Sequence, residues 1–102
     1  MIEVTILIPL FSNDGKRFSR SHHAKFEALL ARTFGGVTAL PGEARGVWLD
    51  GGTRYDDQLI GYLVALPSIT DGGKLGRVID RAKRHYRQEA IFFRYLGRAE
   101  IR

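Results

Sequence analysis

Three histidines are the first residues to question for chemistry, because imidazole titrates near neutrality. His22 and His23 fall in the first turn of a helix expected to start at Ser19 or Ser21. There the helix dipole disfavours the protonated ring. Neighbouring helical positions point about 100° apart, so the two rings do not converge on one metal ion. Boundary packing or capping is their expected role, with His22 kept beside Tyr62 as a candidate acid–base group. His85 borders a basic stripe and reads as a surface residue.

Trp48, Arg54 and Tyr55 are a second group, on a glycine-rich segment. An indole and a guanidinium can frame an aromatic or carboxylated ligand by stacking and bidentate bonding, which makes these three the candidate ligand-binding residues. The alternative for Trp48 is a core or interface anchor. Asp14, Asp50, Asp56 and Asp57 supply oxygens, but the segment lacks the spacing of a calcium loop. They are expected to solvate a hairpin, and no metal is expected. Asp71-Gly72-Gly73-Lys74-Leu75-Gly76-Arg77 brings glycines and cations to a helix start, where backbone N–H groups attract anions. The GxxxxGK[ST] order of a phosphate-binding loop is absent.

Charge is distributed unevenly. Residues 74–102 hold nine basic and three acidic residues, whereas residues 1–73 hold seven and eight. Lys74, Arg77, Arg81 and Arg84 form one stripe of a helix expected to end near Gln88; they are the candidate anion-binding residues. Leu75, Val78, Ile79, Ala82 and Tyr86 lie within about 100° of arc on another stripe. The basic stripe could meet the phosphates of a nucleic acid, or it could be a solvated face, which is the favoured reading. No RNA-recognition signature is present.

The elements that must position these residues follow from periodicity and turn chemistry. Residues 2–10 alternate as a strand with one buried face. A helix runs from the Ser19 region to Gly35 or Gly36. Residues 37–40 read as strand, broken at Pro41-Gly42 and resumed at 47–49; Asp50-Gly51-Gly52-Thr53 is a turn, and 58–66 a further strand. Thr70 or Asp71 would cap the second helix, and 90–96 forms the last strand. The order is βαββαβ with a bent second strand. It predicts an α+β, ferredoxin-like fold, one domain over residues 1–102, with two helices on one face of a four-stranded mixed sheet.

That arrangement leaves one sheet face without helices, yet Leu7, Leu59, Leu63 and Ala65 make it apolar. An uncovered apolar face marks an interface or ligand site. A homodimer packed sheet to sheet is the expected solution, with folding of segment 41–57 over the sheet as its alternative.

With 102 residues, 44% of them hydrophobic, and no cysteine, the chain can bury a core and cannot use disulfides, thiolate zinc or a cysteine nucleophile. The start lacks signal-peptide features and no apolar run reaches the roughly 18 residues of a membrane span. The expectation is a cytoplasmic protein of a bacterium-like cell, with no cofactor and no membrane partner.

Three fragments, Phe34-Gly35-Gly36-Val37-Thr38, Gly46-Val47-Trp48 and Gln88-Glu89-Ala90-Ile91, resemble a group of small bacterial α+β proteins of unknown function with an FGG-x-T, G-x-W and QE-[AS]-[IV] pattern. The resemblance spans roughly residues 5–96 and implies a single α+β domain, with no activity, cofactor or site. Some members resemble exported lipoproteins with a lipobox cysteine, which this chain lacks. Three functions follow: a non-enzymatic binding or interaction module, a cofactor-independent small-molecule enzyme of the dimeric α+β barrel kind using His22, Trp48, Tyr62 and Arg54, and a nucleic-acid binder using the basic helix. The first is favoured because no coherent acid–base pair or nucleophile is present.

Overall fold

The alternation of Ile2, Val4, Ile6 and Ile8 with Glu3, Thr5 and Leu7 does form a strand, β1 (Ile2–Pro9), in the computed structural model of the chain. The structure describes residues 1–67 and 72–98. The order continues with α1 (Arg20–Phe34), β2 (Thr38–Ala39), β3 (Ala44–Asp50), β4 (Thr53–Leu66), α2 (Gly72–Tyr86) and β5 (Phe92–Arg98). Ser19 caps α1 by accepting from the His22 backbone N–H at 3.1 Å. Gly35 ends the helix in the left-handed region (φ 79), its own N–H bonded to the Ala31 carbonyl. The proposed caps of α2, Thr70 and Asp71, lie outside the described residues.

The sheet runs β2–β4–β1–β5, with β3 also paired to β4. Register places Val4 opposite Val64 and Ile6 opposite Tyr62, so one side chain in two from each central strand reaches the same face. Those residues join Phe26 and Leu30 of α1 and Leu75, Val78, Ile79, Ala82 and Tyr86 of α2 in one core cluster. Both helices therefore cover a single face, as a ferredoxin-like fold requires.

The sheet is antiparallel in every pair rather than mixed. In a split βαβ the two parallel strands are not neighbours, because the antiparallel hairpin strand β4 lies between them. The second strand is also broken more deeply than a bend. Thr38 and Ala39 face Leu63 and Tyr62, and Ala44 resumes opposite Leu59. Residues 40–43 thus stand opposite residues 60 and 61, a bulge of two extra residues at Pro41-Gly42.

Beyond the bulge, β3 and β4 form a hairpin whose loop is Gly51-Gly52. Both glycines have positive φ (57 and 83), the requirement of a tight type I′ turn. Its second strand begins at Thr53, five residues earlier than periodicity suggested, because Tyr55-Asp56-Asp57 reads as turn composition while pairing as strand.

Candidate functional site: the helix-free face and the hairpin arm

Alternation assigns Tyr55, Asp57, Leu59, Gly61, Leu63 and Ala65 of β4 to the face without helices, beside Leu7 of β1, which pairs Gly61 and Phe92. Two glycines make the centre of this face flat. A Cβ at Gly61 would lie 2.9 Å from Leu40 Cδ1, and one at Gly46 would lie 2.9 Å from Trp48 Nε1. Leu40 and the indole therefore lie down on bare backbone. From Gly46 the Trp48 ring reaches across to Phe92, with centroids 6.0 Å apart. Leu59 is buried beneath this cover.

This revises the expectation that a second subunit, a guest or the whole 41–57 segment must cover the strands. The chain covers the middle of the face with two side chains, and the remainder of that segment does something else. The pairing of β1 with β4 stops at Pro9–Leu59, while β3 and β4 continue together to Asp50–Thr53. Residues 44–58 thus form a two-stranded arm that extends past the body of the sheet. The arm is apolar on both sides: Trp48 (43% exposed) and Tyr55 on one, Val47 and Leu49 (79% exposed) on the other.

Trp48 and Tyr55 are cross-strand partners on one side of the arm. Arg54 pairs in register with Leu49 on the opposite side, where its guanidinium bonds the Asp56 carboxylate at 3.1 Å. The indole and the guanidinium therefore do not frame one ligand, because successive strand residues point to opposite faces.

The candidate acid–base residues lie on the other side of the sheet. Tyr62 is 2% exposed and packs against Phe26 at 5.9 Å; burial, with help from Glu27, raises its phenol well above the ordinary value. His22 meets His85, and the two line the edge of a recess of about 510 Å³ together with Lys16, Arg17, Phe18 and Arg87. The two imidazole rings stack with centroids 3.7 Å apart. His22 Nε2 donates to the His85 carbonyl at 2.6 Å, and His85 Nε2 donates to the His22 carbonyl at 2.7 Å. A carbonyl oxygen only accepts, so both rings carry their proton on Nε2. This reciprocal clasp joins the start of α1 to the end of α2. His85 is thus a structural partner, not a surface residue, and its spacing of 63 positions from His22 gave no sequence signal.

His23 completes the cluster through a 2.8 Å bond between its Nδ1 and the Tyr86 hydroxyl, while its Nε2 is buried without a partner. Burial lowers the pKa of both His22 and His23, and the neighbouring charges, among them His85, Lys25 and Arg87 for His22, act mostly in the same direction. Burial likewise raises the Tyr86 phenol. Among the described residues no group of three or more His, Asp or Glu could hold a metal ion.

Lys74, Arg77, Arg81 and Arg84 are brought together. They line one side of a recess of about 430 Å³ between the helices, with Leu29 and Thr33 of α1 on the other. Among the described residues no helix is long and apolar enough to cross a membrane.

These features define a ferredoxin-like α+β domain with an open antiparallel sheet and a projecting hairpin. Solved structures share this fold. A phage SAM lyase in complex with S-methyl-5'-thioadenosine superposes with a TM-score of 0.70 at 14% identity, covering 95% of this chain and 81% of the lyase. The divalent cation tolerance protein CutA1 of Thermus thermophilus gives 0.66 at 19% identity, covering 99% and 86%. The PII-like protein CutA of Nostoc sp. PCC 7120 gives 0.62 at 11%, covering 96% and 81%. No family model matches the chain, and no curated protein matches it in sequence.

Proposed function

We propose that this chain is a self-associating interaction module whose helix-free face and hairpin arm meet the same surfaces of another copy, the smallest closed form being a homodimer. The observation that supports this most is the arm. A two-stranded ribbon alone is marginal in water, and this one carries Val47 and Leu49 on one side and Trp48 and Tyr55 on the other, all exposed. It also extends open strand edges, which pair readily with another chain. Burying ~400 Å² of apolar area would contribute roughly 10 kcal/mol before the cost of association.

Static light scattering at micromolar concentration tests the reading. A mass of two or more chains is expected, with the Trp48→Ala/Leu49→Ser variant falling to one while keeping its far-ultraviolet circular dichroism. A wild-type monomer at that concentration rejects it.

The structural likeness to a lyase solved with a nucleoside thioether and to a PII-like protein, together with the half-exposed Trp48–Tyr55 pair, supports a narrower second reading. In it the junction between copies holds a small aromatic ligand against the indole. Quenching of Trp48 fluorescence by adenosine or its thioethers would support it, and unchanged fluorescence at millimolar ligand would remove it.

A further inference from the structure

The self-association proposed above uses the helix-free face and leaves the helical face outward. That face carries a continuous cationic recess. Its larger part, about 430 Å³, is lined by Lys74, Arg77, Arg81 and Arg84. A smaller part, about 260 Å³, adds Lys25 and Arg32 of α1 and shares Leu29 and Arg81 with the first. Among the described residues, Asp80 is the one acidic side chain lining either part. None of the six cations forms an ion pair with a described residue; the ion pairs among the described residues, Arg17–Glu43 and Arg54–Asp56, lie elsewhere.

We infer that this recess binds the phosphodiester backbone of a single-stranded nucleic acid. Three properties favour such a ligand. The α2 cations recur at three- and four-residue steps, so they form a row about 15 Å long at 1.5 Å per residue, suited to a repeating anion and longer than one phosphate needs. The row lines a cleft between two helices, which admits one strand; a bilayer is planar and a duplex is about twice as wide as a helix. Leu29 and Val78 add apolar surface beside the cations, which a sugar can use and an all-anionic polyphosphate cannot. Of the two rings that line the recess, Phe26 is buried in the core and His85 is already stacked on His22, so neither is free to stack on bases. Binding is therefore independent of sequence and driven by counterion release.

The test is fluorescence anisotropy with a labelled mixed-sequence strand of about 15 nucleotides, on protein whose oligomeric state is fixed by light scattering. With about four phosphates neutralised, the single-strand slope of log K against log salt is near −3, so affinity falls roughly 50-fold between about 50 and 200 mM salt. Arg77→Ala/Arg81→Ala should halve that slope with unchanged circular dichroism and unchanged mass. Arg45→Ala, on the arm, should leave it as it is. Absence of binding at the lower salt concentration overturns the proposal. So does an unchanged slope in the double variant, equal affinity for duplex, or retention on phosphatidylserine vesicles without strand binding. Because mass and anisotropy are read separately, loss of self-association and loss of strand binding are distinguishable.

Discussion

The two faces of the sheet are made from similar strand residues but completed differently. On the helical face, Val4, Ile6, Ile8, Tyr62, Val64 and Leu66 are sealed by α1 and α2 into one cluster with almost no exposure. On the other, Leu59 and Gly61 are covered by two side chains, Leu40 and Trp48, which are themselves 38% and 43% exposed. Burial that is complete within one chain contributes to folding, whereas apolar area left exposed contributes only when another surface arrives. Truncating a sealed side chain should therefore be read out as stability, and truncating an exposed one of the arm as association.

The largest effect tests that division directly. Leu30→Ala empties a fully buried position and should cost about 2–5 kcal/mol, seen as a lower urea midpoint at any protein concentration. Leu49→Ser, at a position 79% exposed, should change the stability of the dilute chain by about 0.5 kcal/mol or less. It should instead lower the mass seen by light scattering. Equal, concentration-independent losses from both variants would erase the distinction between the faces.

A smaller effect sharpens the account of the helix-free side. Gly61→Ala places a Cβ 2.9 Å from Leu40 Cδ1, so Leu40 must lift from the sheet. Overpacking of this kind costs roughly 1–3 kcal/mol, here at the low end because the obstructing atom ends a flexible side chain. Gly36→Ala, which meets nothing within 4 Å, is the control. A Gly61→Ala variant as stable as the parent in urea would show that the flat floor is not needed.

How much of this was legible in sequence follows from the range of the forces involved. Period-two and helical spacing identified β1, α1, the core stripe of α2 and the ferredoxin-like order, because those signals are local. The caps at Ser19 and Gly35 were legible for the same reason. The arm was not, since Tyr55-Asp56-Asp57 has turn composition and becomes strand only through pairing with Val47-Trp48. Nor was the flat floor, which requires Gly61 to meet Leu40 across the bulge. The His22–His85 clasp joins residues that only the folded packing of α1 on α2 brings together, and for that reason His22 drew attention as a possible catalyst while His85 drew none. The Trp48, Arg54 and Tyr55 set was recognised by residue type, but strand alternation, available in the sequence, separates Arg54 from the other two once residues 53–57 are known to be strand.

The histidine cluster gives the comparison a pH axis. His22 and His23 have pKa values lowered in the folded chain, so below about pH 6.5, the ordinary histidine value, the unfolded chain binds more protons. Stability then falls as pH falls through that value toward the lowered one, and is fully present above it. The urea midpoint should drop between about pH 7.5 and 5.5, with up to about two protons taken up on unfolding. His22→Gln/His23→Gln should flatten the dependence, whereas association through the opposite face should change little. A midpoint that rises on acidification would mean that the cluster favours charged rings.

The smallest effect is at the end of α2. Gln88 N–H bonds the Lys83 carbonyl at 2.9 Å and Arg87 N–H approaches that of Arg84 at 3.4 Å, the pattern of a Schellman ending, whose left-handed position normally holds glycine. Here it holds Arg87 at φ 53. Its carbonyl receives the Asn13 side-chain amide at 3.3 Å, a bond that glycine would keep because it involves only backbone at position 87. Arg87→Gly relieves the left-handed strain, offset in part by the greater freedom of glycine in the unfolded chain, for a net gain of about 0.5–1 kcal/mol. It also removes one of the charges that lowers His22, so the gain in urea midpoint should be larger at about pH 5.5 than at about pH 7.5. A variant less stable at both values would show that the guanidinium holds the helix end together, and that this turn is a built contact of the helical face and not a tolerated strain.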